Sequence, residues 1–197
     1  MKVKICGITD PQDAECAASL GADYIGIIFA EGSKRQVDVS AAKRIARAAI
    51  DYGAEPVGVF VDETPEEIFS ICKETGIYRL QLHGEISRHA LNDLVDDFSV
   101  IYTMPSVLSK NNSIPPTVTL LYDNLKPGSG EPFDWTAFSP PANFRWMLAG
   151  GLNPMNVAEA IALLKPYGVD VATGVEFPNS TRKDPALVKA FIEAATV

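Results

Sequence analysis

The chain has 197 residues, 47% of them hydrophobic, and 17 Lys and Arg against 25 Asp and Glu give a formal net charge of −8. This apolar content excludes a disordered chain, and no apolar run approaches the roughly 20 residues that a membrane span needs. An acidic surface repels a phosphate backbone, so nucleic acid is not an expected partner. We expect one domain over residues 1–197, located in the cytoplasm because no apolar stretch of signal-peptide length follows the first residues.

Eight short apolar runs, rich in β-branched residues, alternate along the chain with stretches of helical period. They cover residues 3–5, 24–29, 57–61, 78–82, 100–103, 118–122, 145–149 and 169–172. Several are apolar without alternation, which is typical of strands that are covered on both faces. Strand and helix alternating eight times predict a compact (β/α)8 barrel, with a doubly wound open sheet as the alternative.

Four of the helical stretches begin with a capping side chain followed by proline, a pair suited to a helix start. These pairs are Asp10-Pro11, Thr64-Pro65, Asn153-Pro154 and Asp184-Pro185. The segment 104–116 is rich in Pro and Asn and lacks helical period, so we expect the fifth helix of the barrel to be short or missing. The Pro- and Gly-rich residues 126–132 have the composition of a mobile loop.

In a barrel, function belongs at the carboxyl ends of the strands, where a few polar residues stand. Cys6 ends the first strand and is either a packed thiol or a proton acceptor. Asp123 follows the sixth strand and is either a turn residue or the acid that donates a proton in the same reaction. Arg35 after the second strand is suited to clamp a carboxylate bidentately or is a solvated loop cation. Gln81 and His83 at the fourth strand are candidates to line a substrate.

Two small-residue turns follow the seventh and eighth strands, at Gly150-Gly151 and Thr173-Gly174. Loops in these positions of a barrel frequently bind phosphate through backbone N–H groups. We therefore favour a phosphate site over plain tight turns. The three cysteines include no C-x-x-C pair and are odd in number, which argues against a disulfide scaffold or a zinc cluster.

These pieces resemble the phosphoribosylanthranilate isomerases of tryptophan biosynthesis over nearly the whole chain. The resemblance is carried by the order and spacing of Lys4-Ile5-Cys6-Gly7, Ser33-Lys34-Arg35, Gln81-Leu82-His83-Gly84, Leu121-Tyr122-Asp123, Ala149-Gly150-Gly151-Leu152 and Gly174-Val175-Glu176. Such enzymes perform an Amadori rearrangement of N-(5-phosphoribosyl)anthranilate to 1-(2-carboxyphenylamino)-1-deoxyribulose 5-phosphate.

The resemblance implies that the reaction uses neither metal nor cofactor. The sequence does not distinguish a monomer from a homodimer, and we expect one of the two. It implies Cys6 as general base, Asp123 as general acid, and Arg35 as the group that holds the anthranilate carboxylate. The glycine turns would bind the phosphate, and Asp170 would lie near the substrate. The alternatives are another barrel isomerase or epimerase acting on a sugar phosphate, and a catalytically silent barrel that binds one.

Overall fold

Eight parallel strands close into a barrel in the computed structural model, which describes residues 1–105, 114–123, 135, 138–139 and 142–196. They are β1 (Lys2–Ile5), β2 (Tyr24–Ile28), β3 (Glu55–Phe60), β4 (Arg79–Leu82), β5 (Ser99–Pro105), β6 (Thr119–Asp123), β7 (Trp146–Leu148) and β8 (Gly168–Val171). The barrel closes where β1 pairs with β8, with Lys4 opposite Asp170. The predicted barrel is confirmed, and the open-sheet alternative is wrong because both edges pair with each other.

The helices lie between the strands and cover the outside of the barrel. They are α1 (Pro11–Ser19), α2 (Val39–Asp51), α3 (Pro65–Thr75), α4 (Glu85–His89), α5 (Leu91–Leu94), α6 (Val157–Leu164) and α7 (Pro185–Thr196). Three of the four predicted starts are confirmed, since α1, α3 and α7 each begin at the proline. None of the helices in the described ranges is long and apolar enough to cross a membrane.

The fourth predicted start is wrong, because α6 begins at Val157 and not at Pro154. The Asn153 side chain accepts a hydrogen bond from the Met155 N–H, and the Asn156 side chain accepts one from the Asn153 N–H. Asparagine side chains that bond to nearby backbone favour a turn over a helix. The two asparagines therefore insert a turn between the glycines and the helix.

Two of the predictions fall partly or wholly outside the described residues. The short or missing fifth helix concerns the chain between β5 and β6, of which residues 106–113 are not described, and residues 114–118 hold no helix. The loop 126–132 after β6 also lies outside the described residues.

The barrel interior is apolar in the middle and polar toward the carboxyl ends of the strands. Inward-facing residues alternate along each strand, and six of them form one buried cluster: Tyr24, Val57, Ile101, Leu121, Met147 and Ala149. Continuing the alternation toward the carboxyl ends gives Lys4, Gln81, Thr103 and Asp170, all of which are buried. The polar groups therefore meet at one end of the barrel, where such folds place their active sites.

Candidate active site

Cys6 follows β1 and is buried at the mouth of the barrel, with only 5% of its surface exposed. Its thiol lies beside the ammonium of Lys4, which points inward from β1, because Cys6 Sγ and Lys4 Nζ border the same gap next to Gly26 on β2. Lys4 is completely buried, and its Nζ lies 2.9 Å from Asp170 Oδ1 across the β1–β8 seam. The Lys4 ammonium therefore has the Asp170 carboxylate as its hydrogen-bond partner and the Cys6 thiol as a close neighbour.

Gly26 on β2 leaves the space that these groups occupy. A Cβ atom at this position would lie 2.7 Å from Cys6 Sγ, closer than real Cβ atoms approach a neighbour, and 3.0 Å from Lys4 Nζ, which is a tight contact. The thiol and the ammonium therefore both border the gap beside Gly26. Any side chain at position 26 would displace one of them.

The charges around Cys6 oppose one another. Burial raises the pKa of the Cys6 thiol, the Lys4 ammonium lowers it, and the Asp170 carboxylate raises it. Burial also disfavours the charge on Lys4, but Asp170 and Cys6 outweigh burial and hold the Lys4 pKa above its usual value. The barrel therefore keeps a permanent cation beside a thiol whose ionisation burial disfavours.

His83 and Gln81 lie together at the carboxyl end of β4. Gln81 Nε2 and His83 Nδ1 are 3.2 Å apart, and the buried Oε1 of Gln81 has no hydrogen-bond partner among the described residues. Burial, with a further contribution from the positive charge of Lys4, lowers the pKa of His83 to about 4. The imidazole is therefore neutral at physiological pH and offers a hydrogen bond without a charge.

Arg35, in the loop after β2, is not a solvated cation, because its guanidinium is buried against Glu176. Its Nε lies 2.6 Å from Glu176 Oε1, and its Nη2 lies 2.9 Å from Glu176 Oε2 and 2.8 Å from Thr173 Oγ1. Among the described residues Nη1 has no hydrogen-bond partner. A substrate carboxylate would therefore meet the Nη1 side of the guanidinium unless the contacts to Glu176 and Thr173 rearrange.

Gly7 determines how closely Arg35 can approach the barrel mouth. It has a φ of +70°, and a Cβ there would lie 2.3 Å from Arg35 Cδ. Glycine alone satisfies both the left-handed backbone and this contact. Gly7 therefore lets the aliphatic stem of Arg35 pack directly beside the residue that follows the Cys6 thiol.

Glu176 joins Arg35 to a second buried cation, Lys183. The Nζ of Lys183 donates to Glu176 Oε1 at 2.9 Å and to the Ala172 carbonyl at 3.1 Å. Burial pushes the pKa of Glu176 upward, but hydrogen bonds and charges from Arg35 and Lys183 hold it below its usual value. Burial lowers the pKa of Lys183. The Glu176 carboxylate thus connects the loop after β2, through Arg35, with the segment after β8, through Lys183.

The two small-residue turns approach each other closely. Gly150 and Gly151 have φ values of +85° and +69°, and a Cβ on Gly174 would lie 2.0 Å from the Leu152 carbonyl oxygen. Among the described residues, the backbone N–H groups of Gly150, Gly151 and Gly174 have no hydrogen-bond partner. Unpaired N–H groups on adjacent turns are suited to bind an anion.

Asp123 ends β6, at the same end of the barrel as Cys6, and is partly buried. The structure thus brings all ten predicted site residues to the carboxyl ends of the strands. Sequence reasoning assigned no function to Lys4, Glu176 or Lys183. The signal for Lys4 was available, since a lysine in the middle of a short apolar strand must either face water or find a buried partner.

Comparisons with known proteins agree on one family. The sequence profile of a family described as N-(5'phosphoribosyl)anthranilate (PRA) isomerase matches residues 3–194. The N-(5'-phosphoribosyl)anthranilate isomerase of Chlamydia caviae is 58% identical over 200 residues, covering 99% of this chain and 97% of the relative.

Solved structures give the same result. Phosphoribosyl anthranilate isomerase from Thermotoga maritima is 36% identical with a TM-score of 0.86, and covers 99% of this chain and 98% of its own. A second isomerase structure, in complex with reduced 1-(o-carboxyphenylamino)-1-deoxyribulose 5-phosphate, is 35% identical with a TM-score of 0.84 and the same coverage.

Proposed function

Because the chain belongs to the N-(5'-phosphoribosyl)anthranilate isomerase family, and therefore catalyses that isomerisation in tryptophan biosynthesis, we propose how its own residues perform the reaction. Asp123 is the general acid and Cys6 the general base. The observation that carries this assignment is that the Cys6 thiol and the Lys4 ammonium border the same gap beside Gly26 at the barrel mouth, at the end where Asp123 closes β6. A thiol needs such a cation to accept a proton near neutral pH.

The first step opens the sugar ring. Asp123 donates a proton to the furanose ring oxygen while the bond from that oxygen to C1′ breaks, and the anthranilate nitrogen supplies the electron pair that forms the C1′=N Schiff base. The Asp123 carboxylate remains. This assignment needs Asp123 to be protonated when the substrate binds, as a general acid must be.

The second step moves a proton from C2′. The Cys6 thiolate removes it, and the C2′–H electron pair forms a C1′=C2′ double bond as the C1′=N bond returns its electrons to nitrogen. Return of the proton to C1′, with loss of the 2′-hydroxyl proton to Asp123, gives the ketone and restores both groups. Proton transfers by positioned groups of this kind typically contribute about 10² to 10⁴ in rate.

The remaining predicted residues bind the substrate in this proposal. Arg35 pairs with the anthranilate carboxylate through Nη1 of its guanidinium, since its hydrogen bonds to Glu176 use Nε and Nη2. The free N–H groups of Gly150, Gly151 and Gly174, with the Thr173 backbone, bind the phosphate. Gln81 and His83 hydrogen-bond to sugar hydroxyls, for which the unpartnered Oε1 of Gln81 is a ready acceptor.

Asp170 lies near the substrate but is already engaged. Its Oδ1 accepts from Lys4, and Oδ2, which has no partner among the described residues, can accept from a sugar hydroxyl. The same carboxylate therefore contacts both the substrate and the cation beside the base.

The test is turnover of freshly generated phosphoribosylanthranilate, followed by the loss of its anthranilate fluorescence. Cys6→Ala should reduce kcat by about 10² to 10⁴ with little change in KM, and Asp123→Asn should do the same. Arg35→Ala should chiefly raise KM. A chelator added to the wild type should leave turnover unchanged. Wild-type kcat in Cys6→Ala would remove Cys6 from the base position, and an unchanged KM in Arg35→Ala would remove Arg35 from the carboxylate site.

We also propose a single-domain enzyme in the cytoplasm, as a monomer or homodimer, whose partner is the phosphorylated substrate and not nucleic acid. The three free cysteines fit a reducing compartment. Cell fractionation tests the location, and light scattering on the eluting protein tests the oligomeric state.

A further inference from the structure

Lys4 is fully buried in the barrel, and the proposed reaction uses it only as the cation beside the Cys6 thiol. An ammonium group held out of water is costly unless charged and hydrogen-bonding partners surround it. Lys4 has one such partner in the Asp170 carboxylate, and the Cys6 thiol borders the same gap beside Gly26 as its ammonium group. A methionine or leucine at this position would fill the barrel without that cost, so packing does not explain a lysine.

The geometry around Lys4 directs its charge at the thiol. Gly26 supplies the gap that both Cys6 Sγ and Lys4 Nζ border, and Asp170 holds the other side of the ammonium at 2.9 Å. We propose that Lys4 is a positioning residue for the isomerisation: anchored by Asp170, its ammonium group stabilises the thiolate form of Cys6. This proposal deepens the assignment of Cys6 as general base and rests on it.

Several charged or titratable groups lie around Cys6, and they do not all act in the same direction. Lys4 from β1 and Lys183 from the segment before α7 favour the thiolate, and Asp170 from β8 opposes it. His83 from β4 faces Lys4 and Asp170, and the stem of Arg35 packs against Gly7. Both lysines are paired with a carboxylate, but Lys4 Nζ borders the same gap beside Gly26 as Cys6 Sγ, so Lys4 is the cation that the structure places next to the thiol.

Because Lys4 and Asp170 act on the Cys6 thiol in opposite directions, removing each charge should move the titration midpoint of Cys6 in opposite directions. Removing the Lys4 charge in Lys4→Met should raise the titration midpoint of Cys6 by about one to three pH units, which is ten- to a thousandfold less thiolate at a given pH. Removing the opposing carboxylate in Asp170→Asn should lower the midpoint. The double variant Lys4→Met/Asp170→Asn is the matched control, because it leaves no unpaired charge in the barrel if Lys4→Met alone fails to fold. Since Lys4 acts on Cys6 more strongly than Asp170 does, the double variant should also raise the midpoint.

The midpoint is measured without any reagent that must reach the buried sulfur. The chain contains only three cysteines, so protein labelled with ¹³C at the cysteine Cβ gives three resonances, and loss of one in Cys6→Ser assigns Cys6. The Cβ chemical shift is followed against pH in each variant. The His83 resonances in the same samples give an internal check, because loss of the Lys4 charge should also raise the His83 midpoint.

A merely structural contribution of Lys4 predicts the opposite result. If Lys4→Met only loosened the barrel, water would enter, the desolvation of Cys6 would fall, and the Cys6 midpoint would drop. An unchanged or lower midpoint in both Lys4→Met and the double variant overturns the proposal.

Turnover separates this proposal from the assignment of the base. If Cys6 is the base, kcat of Lys4→Met should fall about ten- to a thousandfold near neutral pH and recover toward higher pH, in step with the measured midpoint. A displaced midpoint with an unchanged pH profile of kcat would leave Lys4 as the group that stabilises the thiolate and would overturn Cys6 as the base.

Discussion

Glu176→Gln is the substitution that most directly probes how the mouth of the barrel is held together. The wild-type carboxylate is 7% exposed and accepts hydrogen bonds from Arg35 at 2.6 and 2.9 Å and from Lys183 at 2.9 Å. Glutamine keeps the shape but loses the charge, so two buried cations would face each other with one acceptor oxygen between them. Removing one partner of a buried ionic cluster costs about 3 to 5 kcal/mol. Since the Thr173 hydroxyl and the Ala172 carbonyl remain as acceptors, we expect a loss near the lower end, about 3 kcal/mol.

The pH dependence of this loss gives the refutable part of the prediction. The pKa of Glu176 is lower in the folded chain than its unfolded value of about 4.3, so its stabilising contribution is complete above that value and disappears as the pH falls through the folded pKa. Urea denaturation of wild type and Glu176→Gln should therefore show the full difference at pH 7 and a narrowing gap below about pH 4. The exposed Glu31→Gln is the matched control and should change stability by less than about 0.5 kcal/mol. A gap of equal size at both ends of the pH range would refute the ionic explanation.

Three further predictions concern other parts of the site and fold. The fold lowers the pKa of His83 from about 6.5 to about 4, because it buries the ring in its neutral form. The free energy of unfolding should therefore fall by about 3 kcal/mol as the pH is lowered from about 6.5 toward 4. His83→Gln should abolish that part of the pH dependence of unfolding. Gly174→Ala places a Cβ against the Leu152 carbonyl oxygen, and should destabilise the fold by about 1 to 3 kcal/mol and raise KM, as denaturation and steady-state kinetics would show. Thr64→Ala removes the capping box with Glu67 and should cost about 1 kcal/mol with kcat unaffected; a loss of activity would contradict its purely structural position.

The barrel could be predicted from the sequence because its strands are buried on both faces and therefore read as continuous apolar runs. The caps of α1, α3 and α7 were also readable, since a capping side chain and the following proline act within a few residues. The start of α6 was not, because the Asn153 and Asn156 side chains each accept a hydrogen bond from a nearby backbone N–H and hold this segment in a turn.

The sequence predicted which residues belong to the candidate site, but not which of them pair with one another. Arg35 was expected to offer its whole guanidinium fork to a carboxylate, but Glu176, 141 residues later in the chain, accepts from two of its nitrogens. The same holds for Lys4, whose partner Asp170 is 166 residues away. Spacing along the chain carries no information about contacts over such separations, which only the closure of the barrel creates.

That closure has a consequence for how the protein is made. The first strand receives its second neighbour only when β8 exists, so during synthesis Lys4 remains without Asp170 while 166 further residues are added. At roughly 5 to 20 residues per second, this takes on the order of 8 to 33 s. Throughout that time the amino-terminal βα units have an open sheet edge and an unfinished interior, and the ribosome-bound chain is a target for chaperones that shield unpaired strands. The segment 168–183, by supplying β8 together with Asp170, Glu176 and Lys183, completes both the barrel and the charged groups at its mouth.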